Sequence, residues 1–238
     1  MRRMMEGYYR KEAISAGVLF IIADLVGFLS LPFIAPLNDS NYLVSVSTNG
    51  GLVATAALLL FVGSAAAIGI AVSLYPALRR HDEVRSLGSV AFRTVEGLLG
   101  IVAAMVLLLV VTLSRQFVEA GAPDSSYFQT LGALLDSGYH LIVNAGKLMA
   151  FSIGALLYYC VFYRSKLVPR WLSGWGIVAA MFTMVSALFV MLGLIAPFSA
   201  GQVVLNLPIL PQELVLAVWL IVKGFNPIAT SETQGWSK

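Results

Sequence analysis

Residues 90–113 read VAFRTVEGLLGIVAAMVLLLVVTL. Apart from Arg93 and Glu96 near its start, this run is apolar, and it is long enough to cross the hydrocarbon core of a bilayer as a helix, which takes roughly 20 residues. The rest of the chain has the same character. Of its 238 residues, 59% are hydrophobic and only 11% are charged, where a soluble domain carries about 25% charged residues. A soluble protein of this size has no interior large enough to hide so much apolar side chain, and the mean hydropathy of +0.87 agrees. A soluble enzyme, a disordered chain and a nucleic-acid-binding domain are therefore excluded. The net charge of +3 is too small for a polybasic surface.

The fold class expected is all-α, a polytopic membrane bundle of six transmembrane helices in a single integral membrane domain over residues 1–238. The spans are read at about 13–33, 51–75, 90–113, 125–163, 172–195 and 212–224. The first is too long for the apolar region of a cleaved signal peptide and has no cleavage site after it. The sixth is short, because Pro208 and Pro211 are read as limiting it, with a partial helix within residues 197–207.

Lysine and arginine set the orientation. Arg2, Arg3, Arg10 and Lys11 precede the first span, Arg79, Arg80 and Arg85 follow the second, and Arg164, Lys166 and Arg170 follow the fourth. The loop at residues 34–50 and the stretch from Ala196 to Gln212 have none, and the loop after the third span has only Arg115. Both termini are therefore expected in the cytoplasm. Asp124 and Ser125 form an N-cap signal for the fourth helix. Pro211 suits the first position of the sixth, which would put Glu213 near the positive end of its dipole. A run of small residues in the second span, including Gly63, Ala67, Gly69 and Ala71, suits close helix packing.

Three segments carry a family resemblance. They are ELVLAVWLIVKGFNP at 213–227, YRSKLVPRWLSGWG at 163–176 and RTVEG at 93–97. Together they resemble the bacterial integral-membrane family known as domain of unknown function 4386, over nearly the whole chain. The resemblance implies a bacterial inner-membrane protein. The family has no established activity, so it supplies no catalytic residues.

Ionisable groups inside a span are costly and are functional-site candidates by default. Asp24 lies near the middle of the first span, and Arg93 and Glu96 lie in the inner part of the third. Asp136, His140, Asn144 and Lys147 follow one another in the fourth at spacings of four, four and three, which put them on one stripe of a helix. Such a stripe must face the bundle interior or a watery cavity. For Asp136 and His140 the outer headgroup zone is an equally good setting. Asp24 is the expected counter-ion of Lys147, and Arg93 can partner Glu96 on its own helix. Lys223 is read as an interfacial anchor.

No HExxH, cysteine pair, Walker loop or GxSxG is present. The single cysteine, Cys160, permits no disulfide, and the two histidines, His81 and His140, form no ligand pair. The sequence thus calls for no cofactor, metal or catalytic residue, and for no nucleic-acid partner. Three readings stand. In the first, the polar residues line a cavity open to the outer side that binds or transports a small molecule, an ion or a lipid headgroup. In the second, the protein is a non-catalytic accessory, sensor or assembly protein whose buried charges fix helix pairing. In the third, it is a membrane-embedded lipid-modifying enzyme with a lateral opening. Membrane lipid is a partner in all three, and the oligomeric state is left open.

Overall fold

A backbone crossing hydrocarbon must satisfy its own amides and carbonyls, so apolar runs of this length become helices. The computed structural model describes residues 2–123 and 127–226, among which there is no strand. The helices are α1 (Arg2–Ser30), α2 (Tyr42–Thr48), α3 (Gly50–Leu78), α4 (Glu83–Glu119), α5 (Tyr127–Leu141), α6 (Leu148–Ser165), α7 (Arg170–Met191), α8 (Ala200–Asn206) and α9 (Ile209–Val222). A 3-10 segment, Leu31–Asn38, extends α1, and a π-helical turn, Ile142–Lys147, joins α5 to α6. Six segments are long and apolar enough to cross a membrane: Tyr9–Asn38, Gly50–Leu78, Glu83–Glu119, Tyr127–Ser165, Arg170–Met191 and Ala200–Val222.

The six expected spans are all present, with shifted ends. The third is longer than expected because Asp82 caps α4, its carboxylate accepting the Arg85 backbone N–H at 2.9 Å and pairing with the Arg85 guanidinium. The fifth ends at Met191, short of Ile195. Gly193 adopts a left-handed φ of 70°, and the Leu194 N–H donates back to the Phe189 carbonyl at 2.8 Å, closing the helix as a glycine C-terminal motif does. The sixth is longer than expected and is broken at Leu207–Pro208 into α8 and α9. Pro211 is the third residue of α9 rather than the first. A first-turn N–H has no intrahelical partner, so proline is tolerated there. The cap signal at Asp124 and Ser125 lies outside the described residues.

α3 packs along both α1 and α4, α6 packs against α4 and α7, and α9 closes against α1. Small residues set two of these approaches. A Cβ on Gly97 would lie 2.6 Å from the Ile68 side chain and 3.0 Å from the Ser64 carbonyl, and one on Gly17 would lie 2.7 Å from the Ala217 carbonyl. Arg10 of α1 donates to the Ile221 and Val222 carbonyls at 2.8 and 3.1 Å, where the last turn of α9 leaves carbonyls unpaired.

The buried apolar residues form two main groups. One, on the side of the chain termini, includes Phe20, Ile70, Leu74, Tyr158, Tyr159 and Phe162. The other, toward the opposite side, includes Val53, Leu60, Ala103, Leu107 and Tyr139. Outward-facing residues such as Leu58, Val72, Leu109 and Val218 are more than half exposed. Such a surface is a liability in water and suits contact with lipid.

Candidate membrane-embedded polar cavity

Between the two apolar groups lies a cavity of about 560 Å³ to which all six spanning segments contribute. Its polar lining includes Asp24 from α1, Arg93 and Glu96 from α4, Asn144 and Lys147 from the π turn, and Glu213 from α9. Gln202 and Asn206 of α8 join them. The rest of the wall is largely apolar and aromatic, with Phe20, Phe28, Leu31, Leu60 and Phe151 among its residues.

Arg93 is 2% exposed and Glu96 6%. Their side chains meet at 2.8 Å as an i,i+3 pair, the partnership their spacing predicts. The guanidinium also lies 5.1 Å from the centre of the Phe151 ring. The pair does not exhaust their bonding capacity: Arg93 Nε is buried without a hydrogen-bond partner. Glu96 also lies in the field of Lys147.

Asp24 and Lys147 line the same cavity but make no ion pair within 4 Å, unlike the pair expected from their depths. Asp24 instead faces Glu213 and lies in the field of Arg93. The Asp24 and Glu213 carboxyls are placed to hydrogen-bond once one of them carries a proton. As two carboxylates they leave Asp24 Oδ2 and Glu213 Oε1 buried with no donor. Glu213 is 7% exposed. It is a cavity residue, and its expected role as a dipole-compensating group at the interface does not describe this setting. The sequence places Glu213 in the first turns of the last helix but does not record that this helix packs on α1.

The expected polar stripe of the fourth span divides in three. Asn144 and Lys147 reach the main cavity. His140 lines a second cavity of about 240 Å³, with Leu31, Tyr139 and Phe198. Asp136 lines neither and pairs with His140 at 3.5 Å. A π turn begins two residues after His140 and carries both Asn144 and Lys147. Such turns depart from the i,i+4 register and recur at functional sites.

Leu31 and Phe198 line both cavities and so stand between them. Phe198 has a left-handed φ of 57°. Its N–H is held by Gln202 Oε1 at 2.5 Å, and its ring meets His140 edge-on at 5.6 Å. Gln202 Nε2 and Asn206 Oδ1 are left without partners beside the main cavity. Beneath it, the Tyr159 hydroxyl donates to Gln212 Oε1 at 2.5 Å, and Gln212 Nε2 donates to the Leu172 carbonyl at 3.3 Å. Sequence reading passed over Phe198, Gln202 and Gln212. The one available signal was their polar or aromatic character beside the prolines of the sixth span. Among the described residues, no group of three or more His, Cys, Asp or Glu side chains is arranged to hold a metal ion.

The family model for domain of unknown function 4386 matches residues 15–224. The chain belongs to that family, as its three motifs indicated. No curated protein and no solved structure matches the chain.

Proposed function

We propose that this protein binds a small molecule, an ion or a lipid headgroup in its intramembrane cavity, as a binding or transport protein of a bacterial inner membrane. The observation that carries this reading is the set of buried, unpartnered polar atoms around one cavity: Asp24 Oδ2, Glu213 Oε1, Arg93 Nε and Gln202 Nε2. A buried polar group without a partner costs roughly 1–3 kcal/mol. Several of them lining one space are best accounted for by a ligand or water that completes them.

Access is assigned to the side opposite the termini. There the His140 cavity adjoins the main one across Phe198, whereas on the terminus side the Tyr158, Tyr159 and Phe162 cluster is fully buried. Arginine and lysine crowd the loops on the terminus side, which supports a cytoplasmic side for both termini and an outward mouth. The reading in which buried charges only fix helix pairing has less support, because the Arg93–Glu96 pair lies within one helix and joins no two.

Native mass spectrometry of the protein released gently from membranes tests the proposal. Wild type should retain a bound mass that Glu213→Gln loses while keeping its thermal stability. No bound species in either protein, together with no uptake by proteoliposomes, would overturn it.

A further inference from the structure

The charges around the cavity do not balance. Asp24, Glu96 and Glu213 are acidic, and Arg93 and Lys147 are basic. From α6, the two groups that face Glu213 are the Tyr158 and Tyr159 hydroxyls, which are neutral. α3, α7 and α8 contribute only uncharged residues. Arg93 and Lys147 both act on Glu96, and three acids against two bases leave one negative charge over. It falls on Asp24 and Glu213, which face each other with no N–H or O–H donor on Asp24 Oδ2 or Glu213 Oε1. Two carboxylates in contact repel, and a single proton between them removes both the repulsion and the surplus charge.

We propose that Asp24 and Glu213 form a two-carboxyl site that holds one exchangeable proton, and that a ligand group bearing a single positive charge takes its place. This rests on the reading of the cavity as a binding site and names the class of ligand: a monovalent organic cation with an apolar body. The aromatic and aliphatic wall of Phe20, Phe28, Phe151 and Leu31 suits that body, because rings attract cations and apolar area leaves water. The exchange keeps the cavity neutral, with one cation in and one proton released to water.

The full chain in nanodiscs tests this, with hexyltrimethylammonium as the probe. Infrared spectra at neutral pH should show the carbonyl stretch of one protonated carboxyl, shifting in heavy water. Either Glu213→Gln or Asp24→Asn reaches neutrality without a proton, so each should lose that band, whereas Lys147→Met should keep it. Titration calorimetry in buffers of different ionisation enthalpy should show about one proton released per bound cation in wild type. Each carboxyl variant should bind at least about tenfold more weakly, without release, since it has lost the charge the cation replaces. The two variants serve as checks on each other, because only a shared site loses the band in both. Absence of the band in wild type, its persistence in both variants, or cation binding without proton release would overturn the proposal. A neutral bound mass in the native spectrum without the band would overturn this inference and leave the binding cavity standing.

Discussion

Arg93 and Glu96 show what a buried charge demands of its neighbours. Each is nearly inaccessible, and among the described residues each is the only ion-pair partner of the other within 4 Å. Removing one member strands the other in a poorly solvated setting, which costs about 3–5 kcal/mol. Replacing both by apolar residues of similar volume should cost much less. We therefore expect Arg93→Met and Glu96→Met each to lower the thermal stability of the detergent-solubilised protein strongly. The double variant should recover most of the loss. Simple addition of the two losses would mean that the residues are stabilised by separate partners. This pair was legible in the sequence, because its partners sit three residues apart on one helix. The Asp24–Glu213 contact was not. It joins the first and last spans, and nothing local to either residue records which face of α9 meets α1.

At the scale of the element, the ends of α4 and α9 are held by side chains from outside the bilayer core. The Asp82 carboxylate lies below its usual pKa of 3.8, held there first by the Arg85 backbone N–H and then by the Arg85 guanidinium. A lowered carboxylate stabilises the fold above the ordinary aspartate range, and the contribution fades as the pH falls through the lower folded value. Asp82→Ala should cost about 1 kcal/mol at neutral pH, and Asp82→Asn, which still caps, should cost less. The difference between wild type and Asp82→Ala should shrink below about pH 4, as read by thermal melts across pH. A difference that stayed constant down to that pH would assign the loss to packing. Helix identity was largely readable because apolar length alone dictates it, whereas helix ends were less so. Gly193, Pro208 and Pro211 each admit two outcomes, and tertiary packing decides which one occurs. The π turn had no local signal at all: the composition of IVNAGK at 142–147 is ordinary for an α-helix.

For the whole molecule, the proposed function takes the two apolar clusters on either side of the polar cavity as unequal barriers to it. The cluster around Tyr158, Tyr159 and Phe162 is fully buried, so it seals the cavity from the side of the termini. Phe198 is only a single ring between the cavity and the His140 pocket on the other side. Single cysteines placed in a Cys160→Ser background can read this with a membrane-impermeant maleimide on sealed, right-side-out vesicles. Asn41→Cys, in the exposed turn beyond the first span, should react from outside, and Glu83→Cys, at the exposed start of α4, only after the vesicles are opened. Asn206→Cys, on the cavity wall, should react from the same side as Asn41→Cys but more slowly, since the reagent must pass Phe198. Phe198→Ala should speed that reaction and leave the labelling of Asn41→Cys unchanged. Ala155→Cys, inside the sealing cluster, should stay unlabelled from both sides in a protein that only binds its ligand. Were it to react from the Glu83 side when the cation is added, the seal would open during the cycle, and the cavity would be one half of an alternating-access pathway. Labelling of Asn206→Cys from the Glu83 side alone would reverse the assigned direction of access while leaving the cavity itself in place.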